Sequence, residues 1–427
     1  MIPKTTSFFQ WKWIGTIAAA SASFSFSGSQ LNAVEHAVPL TETHEQFIMT
    51  PRAAFALITS EDSWLKFRTE ILANPVDLQS LATQAKAARE GKRLSVVDKK
   101  IQAPSGDPHD YSSQAPYWWP DPAKPDGLPY IRRDGEVNPE FYGSDRQTLE
   151  AFRERFACLV LHAWATGDVE SSRAAGRLLR TWFIDPATKM NPHLRYAQRI
   201  PGKVEGRGIG IIDTFFFCFV LDEVGRLSFN EEWTPKDLEA LKAWFSAYLD
   251  WLLQSPNGHD ENQEFNNHGT WYDAQVACFA IFCGREEIAR QQIEHVSRGR
   301  LTTQIAADGS QPHELVRTLS LNYCTFNLLG FAVLAQAGRK VNVELWDWRT
   351  DGAVGLRAAI NWMLPYYREE RPWTWPQIGS FNRSTSTFLL SLAAQGTRDE
   401  TFDKTYRRFS RHPWDGASFW GASVRKE

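Results

Sequence analysis

Cysteine is scarce and odd in number, with Cys158, Cys218, Cys278, Cys283 and Cys324 the five in a chain of 427 residues. An odd count excludes complete disulfide pairing. All five fall in apolar, helix-like runs, where a free thiol acts as a small hydrophobe, and no spacing among them suits zinc. Charge of one sign is also lacking. With 47 Lys and Arg against 50 Asp and Glu, the net charge is −3, so no global field recruits nucleic acid or an acidic membrane. A polyanion would have to be met by local arginines. Strand-like alternation is rare, which leaves no sheet of consequence. Beyond the N-terminus no run is apolar and long enough to span a membrane.

The N-terminus reads as a secretory signal. Lys4 and Lys12 supply a positive region, Trp13 to Ala22 a short apolar one, and Leu31-Asn32-Ala33 resembles a cleavage site. The expected layout is a signal peptide over 1–33 and one domain over 34–427, exported to the periplasm or secreted, with no membrane insertion after cleavage.

A loose repeat organises the rest. Arg155 to Asp168 (RFACLVLHAWATGD) is an apolar helix that stops at Gly. Phe215 to Arg226, Gln275 to Glu286, Asn327 to Arg339 and Thr387 to Arg398 are similar, and Cys158, Cys218 and Cys278 recur at one place in the first three. Between them lie amphipathic helices, Ser172 to Trp182, Pro235 to Leu253 and Glu287 to Arg298. A helix apolar all round must be covered on every side, and an amphipathic one on a single side. A ring of hairpins with the apolar helices inside satisfies both. The pattern predicts an all-α fold, an (α/α) toroid or incomplete barrel of helical hairpins, and an open solenoid is the alternative.

Two stretches break the pattern. Ala103 to Phe141 is rich in Pro, Gly and Asp and holds Tyr117-Trp118-Trp119-Pro120. A loop this long is usually functional, so 103–141 reads as a lid over a cleft, or else as a strap packing its rings on the outside. Met190 to Gly210 carries Arg195, Arg199, Lys203 and Arg207, a local basic patch.

The sharpest chemical signal is Asn266-Asn267-His268-Gly269-Thr270-Trp271-Tyr272, just before an apolar run. A helix starting there aims free N–H groups and its positive dipole end at an anion beside His268, and a sugar could stack on Trp271. The site reads as one for an acidic carbohydrate. Cleaving a uronic-acid polymer by elimination needs three functions. The C5 carboxylate must be neutralised, a base must take the adjacent proton, and an acid must protonate the leaving O4. Asn267, His268 and Arg317 suit the first. Tyr323 suits the other two if a cation lowers its pKa from about 10, and Arg317 is the nearby cation. Six residues would place Arg317 and Tyr323 on different faces of one helix, so a break is expected near Ser320 or Asn322, with Tyr323 opening the next helix. For β-linked mannuronan and glucuronan one tyrosine can serve as base and acid; for guluronate, His268 is the candidate base.

These stretches carry a resemblance. Ser105-Gly106-Asp107 through Asn138-Pro139-Glu140, Met190 to Thr214, Asn266 to Gln275 (NNHGTWYDAQ) and Glu314 to Tyr323 (ELVRTLSLNY) resemble the alginate lyase superfamily, closest to polysaccharide lyase family 38, which acts on alginate and glucuronan. The resemblance implies a helical toroid, β-elimination without a cofactor, and an Asn-His-Arg-Tyr centre on Asn267, His268, Arg317 and Tyr323. Gly269-Thr270 stands where related alginate lyases have bulkier residues, so their substrate preference does not carry over. For substrate binding, Tyr117, Trp118 and Trp119 would close over the sugar chain. Arg207 and Arg195 would pair with flanking carboxylates, and Trp271, Trp373 and Trp375 would stack rings. The expected partner is an anionic polysaccharide, not nucleic acid.

Two rivals remain on the residues alone. A glycoside hydrolase would need two carboxylates across a cleft, and Asp107, Asp110, Glu264, Asp273 and Glu314 are available. A non-catalytic polysaccharide-binding protein would keep the aromatics and arginines and need no Tyr323. No metal is expected, since neither His259-Asp260-Glu261 nor His313-Glu314 has zinc-site spacing.

Overall fold

Apolar helices alternate with amphipathic ones along the chain, and the structure, a computed structural model, turns that alternation into an inner and an outer layer. It describes residues 56–349 and 354–419; the expected signal peptide over 1–33 lies outside them. In order, the helices are α1 (Glu61–Leu72), α2 (Pro75–Glu90), α3 (Asp145–Thr166), α4 (Val169–Leu179), α5 (Phe217–Val224), α6 (Pro235–Gln254), α7 (Pro256–Asn262), α8 (Asn267–Phe282), α9 (Glu286–Gln291), α10 (Arg298–Gln304), α11 (Pro312–Leu315), α12 (Ser320–Lys340), α13 (Leu356–Tyr367), α14 (Arg383–Thr397) and α15 (Glu400–Phe409).

Every residue of α5 is buried, as are nearly all of α8 and the body of α12. Only Asp77, Leu81 and Ala85 are buried on α2, and Phe402, Thr405 and Tyr406 on α15. The inner layer is thus α3, α5, α8, α12 and α14, with α8 packed most closely on α12, and the amphipathic helices lie outside. This is the expected (α/α) toroid. The repeated cysteines Cys158, Cys218 and Cys278 sit inside it, and all five cysteines are free thiols. In the middle, Phe215 and Phe219 meet Trp271 edge to face, Phe215 does the same with Phe326, and Phe419 stacks on Phe219. Local signals set the helix ends. Thr234 and Asp237 form a reciprocal capping box at α6, and Gly167 ends α3 at φ +76. No helix among the described residues is long and apolar enough to cross a membrane.

The two irregular stretches fold onto each other. Strand β1 (Ser112–Gln114) runs parallel to β4 (Tyr196–Arg199), and β2 (Trp118–Trp119) pairs with β3 (Ile131–Arg132) in a short hairpin. Ala115 N–H donates to the Arg199 carbonyl and Tyr130 N–H to that of Pro201. Ala115, Tyr130 and Ile200 share a small apolar core, with Trp118 against it. At the root of the strap, buried Asp213 accepts from Tyr111, Ser113, Arg146 and Gln198. The strap is therefore held at many points rather than hanging free.

Candidate active site

Helix α8 opens as expected, but its first donors are already taken. The Asn266 side chain caps the helix by accepting from His268 N–H at 3.1 Å. Asn267 N–H donates to Glu314 Oε1 at 2.6 Å, and its side-chain amide donates to Oε1 and Oε2 at 2.9 and 3.1 Å. The anion that the helix start attracts is thus a buried carboxylate of the chain itself. Burial pushes the Glu314 carboxyl up, outweighing the Asn267 hydrogen bonds and the nearby Arg317 and His268.

His268 has the same kind of backing. Its Nδ1 lies 2.9 Å from Glu261 Oε1, on the last turn of α7. Glu261 is fully buried and the His268 side chain is 16% exposed. A carboxylate can only accept, so Nδ1 carries the proton, and Nε2 makes no hydrogen bond to a described residue. Burial disfavours the charged ring, but the charge and hydrogen bond of Glu261 win and raise the His268 pKa. The pairing favours the imidazolium over the neutral ring.

Arg317 and Tyr323 meet across a break in the chain. Residues 316–319 separate α11 from α12, so the break comes just before Ser320 and puts Tyr323 in the first turn of α12. The Arg317 guanidinium lies 3.9 Å over the centre of the Tyr323 ring. Its Nη2 and Nε reach Asp134 Oδ1 and Oδ2 at 3.1 and 3.3 Å, and Thr318 Oγ1 donates to the same carboxylate at 3.1 Å. The Tyr323 hydroxyl is 2.7 Å from that of Tyr117. Arg317 pulls the Tyr323 pKa down as expected, but it does not win. Burial comes first, Tyr117 adds to it, and the phenol is pushed well above its ordinary value although Arg317 pulls the other way.

Asn267, His268, Arg317 and Tyr323 therefore share one site: Asn267 and His268 are adjacent, Asn267 bonds Glu314, and Arg317 N–H donates to the Glu314 carbonyl. The strap roofs it with Tyr117. Trp118 and Trp119 are half-buried on the hairpin, Trp118 under Lys203 at 4.6 Å and Trp119 under Arg133 at 5.1 Å. Arg207 is braced on Gln198, whose carbonyl and side-chain oxygen accept from it at 3.2 and 3.0 Å. Gln198 itself holds a left-handed backbone (φ +50), a strained state for a non-glycine residue. Arg195 is exposed, and no contact ties it to this site. Trp373 and Trp375 lie 4.8 Å apart in a half-exposed cluster with Trp362 and Tyr366, and Trp373 Nε1 donates to Ser320 Oγ at the start of α12. Trp271 is a correction. It is 0% exposed, packed against Phe215 and Phe326, and its Nε1 donates to the Phe326 carbonyl. No sugar can stack on it.

The chain has counterparts among known proteins. The alginate lyase family model matches residues 95–373. A crystal structure of an alginate lyase from Bacteroides ovatus is 32% identical, covers 87% of this chain and 100% of its own, and superposes with a TM-score of 0.79. The chain belongs to the alginate lyase family. Alginate lyase A1-III from Sphingomonas species A1 shares the fold at 13% identity, over 89% of this chain and 99% of its own, with a TM-score of 0.51. A histidine-to-alanine variant of A1-III complexed with tetrasaccharide superposes at 0.52, with 14% identity over 82% of this chain and 95% of its own. No curated protein matches the chain.

As a member of that family the chain is a polysaccharide lyase, and four of the five carboxylates weighed for a hydrolase are otherwise engaged. Asp273 is buried against Arg300, Ser297 and Gln292. Asp110 binds Ser105, Asn191 and His193, Asp107 binds Asn191, and Glu314 holds Asn267. Among the described residues no group of acidic, His and Cys side chains has the arrangement of a metal site. Sequence reasoning missed the supporting residues Glu261, Asp134 and Gln198. Glu261 was visible only as part of His259-Asp260-Glu261, weighed and rejected as a metal cluster. Asp134 and Gln198 carried no signal.

Proposed function

We propose that this lyase cleaves alginate, in its mannuronate-rich stretches, or glucuronan by β-elimination, with Tyr323 at the reacting centre. His268 and Arg317 neutralise the C5 carboxylate of the bound sugar, which makes H5 acidic, and Asn267, its amide held by Glu314, backs them. The Tyr323 phenolate takes H5. The electron pair of the C5–H bond forms the C4–C5 double bond as the C4–O4 bond breaks, and the Tyr323 phenol returns the proton to O4. Base and acid then act from one side of the ring, as the β-mannuronate and glucuronate geometries require.

The observation that carries this reading is the Arg317 guanidinium stacked on the Tyr323 ring, in one site with a His268 backed by Glu261. The same observation supports mannuronate or glucuronate over guluronate. An imidazolium whose pKa is raised by Glu261 serves as a charge partner and is a poor base for the opposite face. Tyr117, Trp118, Trp119, Arg207, Trp373 and Trp375 line the approach for an anionic chain, with Arg195 further out. The relative from Bacteroides ovatus, described as an alginate lyase, supports the substrate class. Residues 1–33 would export the enzyme to the periplasm or beyond, leaving 34–427 as the working domain with 103–141 as its lid.

The test is ultraviolet absorbance of the unsaturated product on a panel of polymannuronate, polyguluronate and glucuronan. Tyr323→Phe should reduce kcat by about 10²- to 10⁴-fold with substrate binding retained. A fully active Tyr323→Phe enzyme, or cleavage without an unsaturated product, overturns the reading.

A further inference from the structure

Each of Asn267, His268 and Arg317 has a carboxylate behind it. Glu314 holds Asn267, Glu261 holds His268 and Asp134 holds Arg317. The first two carboxylates are buried within the toroid. The third comes from the strap and is 24% exposed.

We infer that Asp134 is the positioning residue for Arg317, so that the strap completes the catalytic site as well as roofing it. This rests on the reading above in which Arg317 meets the substrate carboxylate. Arg317 lies in a four-residue break whose end, Leu319, gives α12 no side-chain cap. A long side chain there loses rotamer freedom when fixed, and something must hold it. The Asp134 carboxylate does so along the Nε and Nη2 edge, the two-point match that suits a guanidinium. Nη1 is left without a hydrogen bond to a described residue and is available to the sugar.

The seat for this contact is built into the chain. Gly135 follows at φ +79, and a Cβ there would come within 2.9 Å of Ile378 Cδ1 and closer still to Thr318 Oγ1. Only glycine fits, so the turn bearing Asp134 sits directly on the break that bears Arg317. Thr318 Oγ1 fixes Asp134 Oδ2, and Arg132 pairs with Oδ1 at 2.7 Å from the solvent side. The charged and titratable groups around Tyr323 are thus Arg317 on the break, Asp134 and Tyr117 on the strap, and His268 and Glu314 behind Arg317.

The test is steady-state kinetics of Asp134→Asn on polymannuronate. A loosened guanidinium misplaces the charge that the transition state needs, and a displacement on the order of 1 Å costs about 10²-fold. Asp134→Asn should therefore lower kcat by about 10- to 100-fold with KM changed less than about threefold. Thr318→Val, which loosens the carboxylate without removing its charge, should lower kcat by a smaller factor of the same kind, and it decides the matter if Asp134→Asn is unstable in thermal unfolding. Wild-type kcat in a folded Asp134→Asn enzyme overturns the inference. So does a loss confined to KM, or a gain in kcat, which would make Asp134 a plug that substrate must displace. If Tyr323→Phe stays active, the proposed chemistry itself fails, whatever Asp134→Asn does.

Discussion

At the residue scale, the site is governed by which groups keep their charge. Glu261, 2.9 Å away, raises the His268 pKa and so extends the charged form to higher pH. Glu261→Gln removes that counter-charge. The imidazolium then deprotonates at lower pH, so the break that His268 sets in the kcat/KM profile should move to lower pH, while the one set by Tyr323 stays. An unmoved break would show that His268 is not the charge the substrate needs. Tyr323 sets the other break. Its phenol is raised well above its ordinary value, chiefly by burial, and only the phenolate can take H5, so turnover should climb as pH rises from neutral. The identities of these residues were legible in the sequence, since Asn267-His268 at a helix start and Arg317 six residues before Tyr323 are local patterns. The direction of the Tyr323 shift was not, because it depends on burial and on Tyr117, which is 206 residues away.

At the element scale, the connection from α7 to α8 decides where Glu261 and His268 sit. Arg300, on α10, runs past Gly269 to donate to the Glu264 and Asn262 carbonyls while its other edge grips buried Asp273. A Cβ at Gly269 would collide with both the Arg300 guanidinium and the Glu264 carbonyl. Gly269→Ala should cost about 1–3 kcal/mol in denaturant unfolding and reduce activity through the displaced Glu261–His268 pair. No local pattern explains Gly269; the structure gives the reason, which is room for Arg300. Helix α5 carries a second test. Glu223 is buried, accepts from Ser418 Oγ at 2.6 Å, and is raised to about 8 by burial. Between the ordinary glutamate value and that raised one, the folded state holds a proton the unfolded state has lost, so stability falls as pH rises through this window. Glu223→Gln should unfold at a higher temperature than the wild type above about pH 8 and lose that advantage below about pH 4.5.

At the scale of the whole molecule, a net charge of −3 coexists with a site ringed by Arg132, Arg207, Arg317 and His268. Attraction for a polyanion is local and screened by salt. KM for the polymer should rise as ionic strength goes from about 0.01 M to about 0.15 M, where the Debye length shrinks from about 30 to about 8 Å, while kcat changes little. A KM indifferent to salt would mean that the cations act only at contact range.

The sequence by itself determined the alternation of apolar and amphipathic helices, hence the toroid, because helix burial follows from periodicity that any stretch displays on its own. It also determined the start of α8 at Asn267 and the break before α12, since caps and helix breaks are local. Only the tertiary structure decided which carboxylate stands behind each of Asn267, His268 and Arg317. Asp134 and Arg317 are 183 residues apart and Asn267 and Glu314 are 47 apart, and no local pattern encodes such a pairing. Packing also decided that Trp271 belongs to the core: an aromatic at a helix start is the same letter whether it faces a sugar or a ring of phenylalanines, and the helices closing around it settle which.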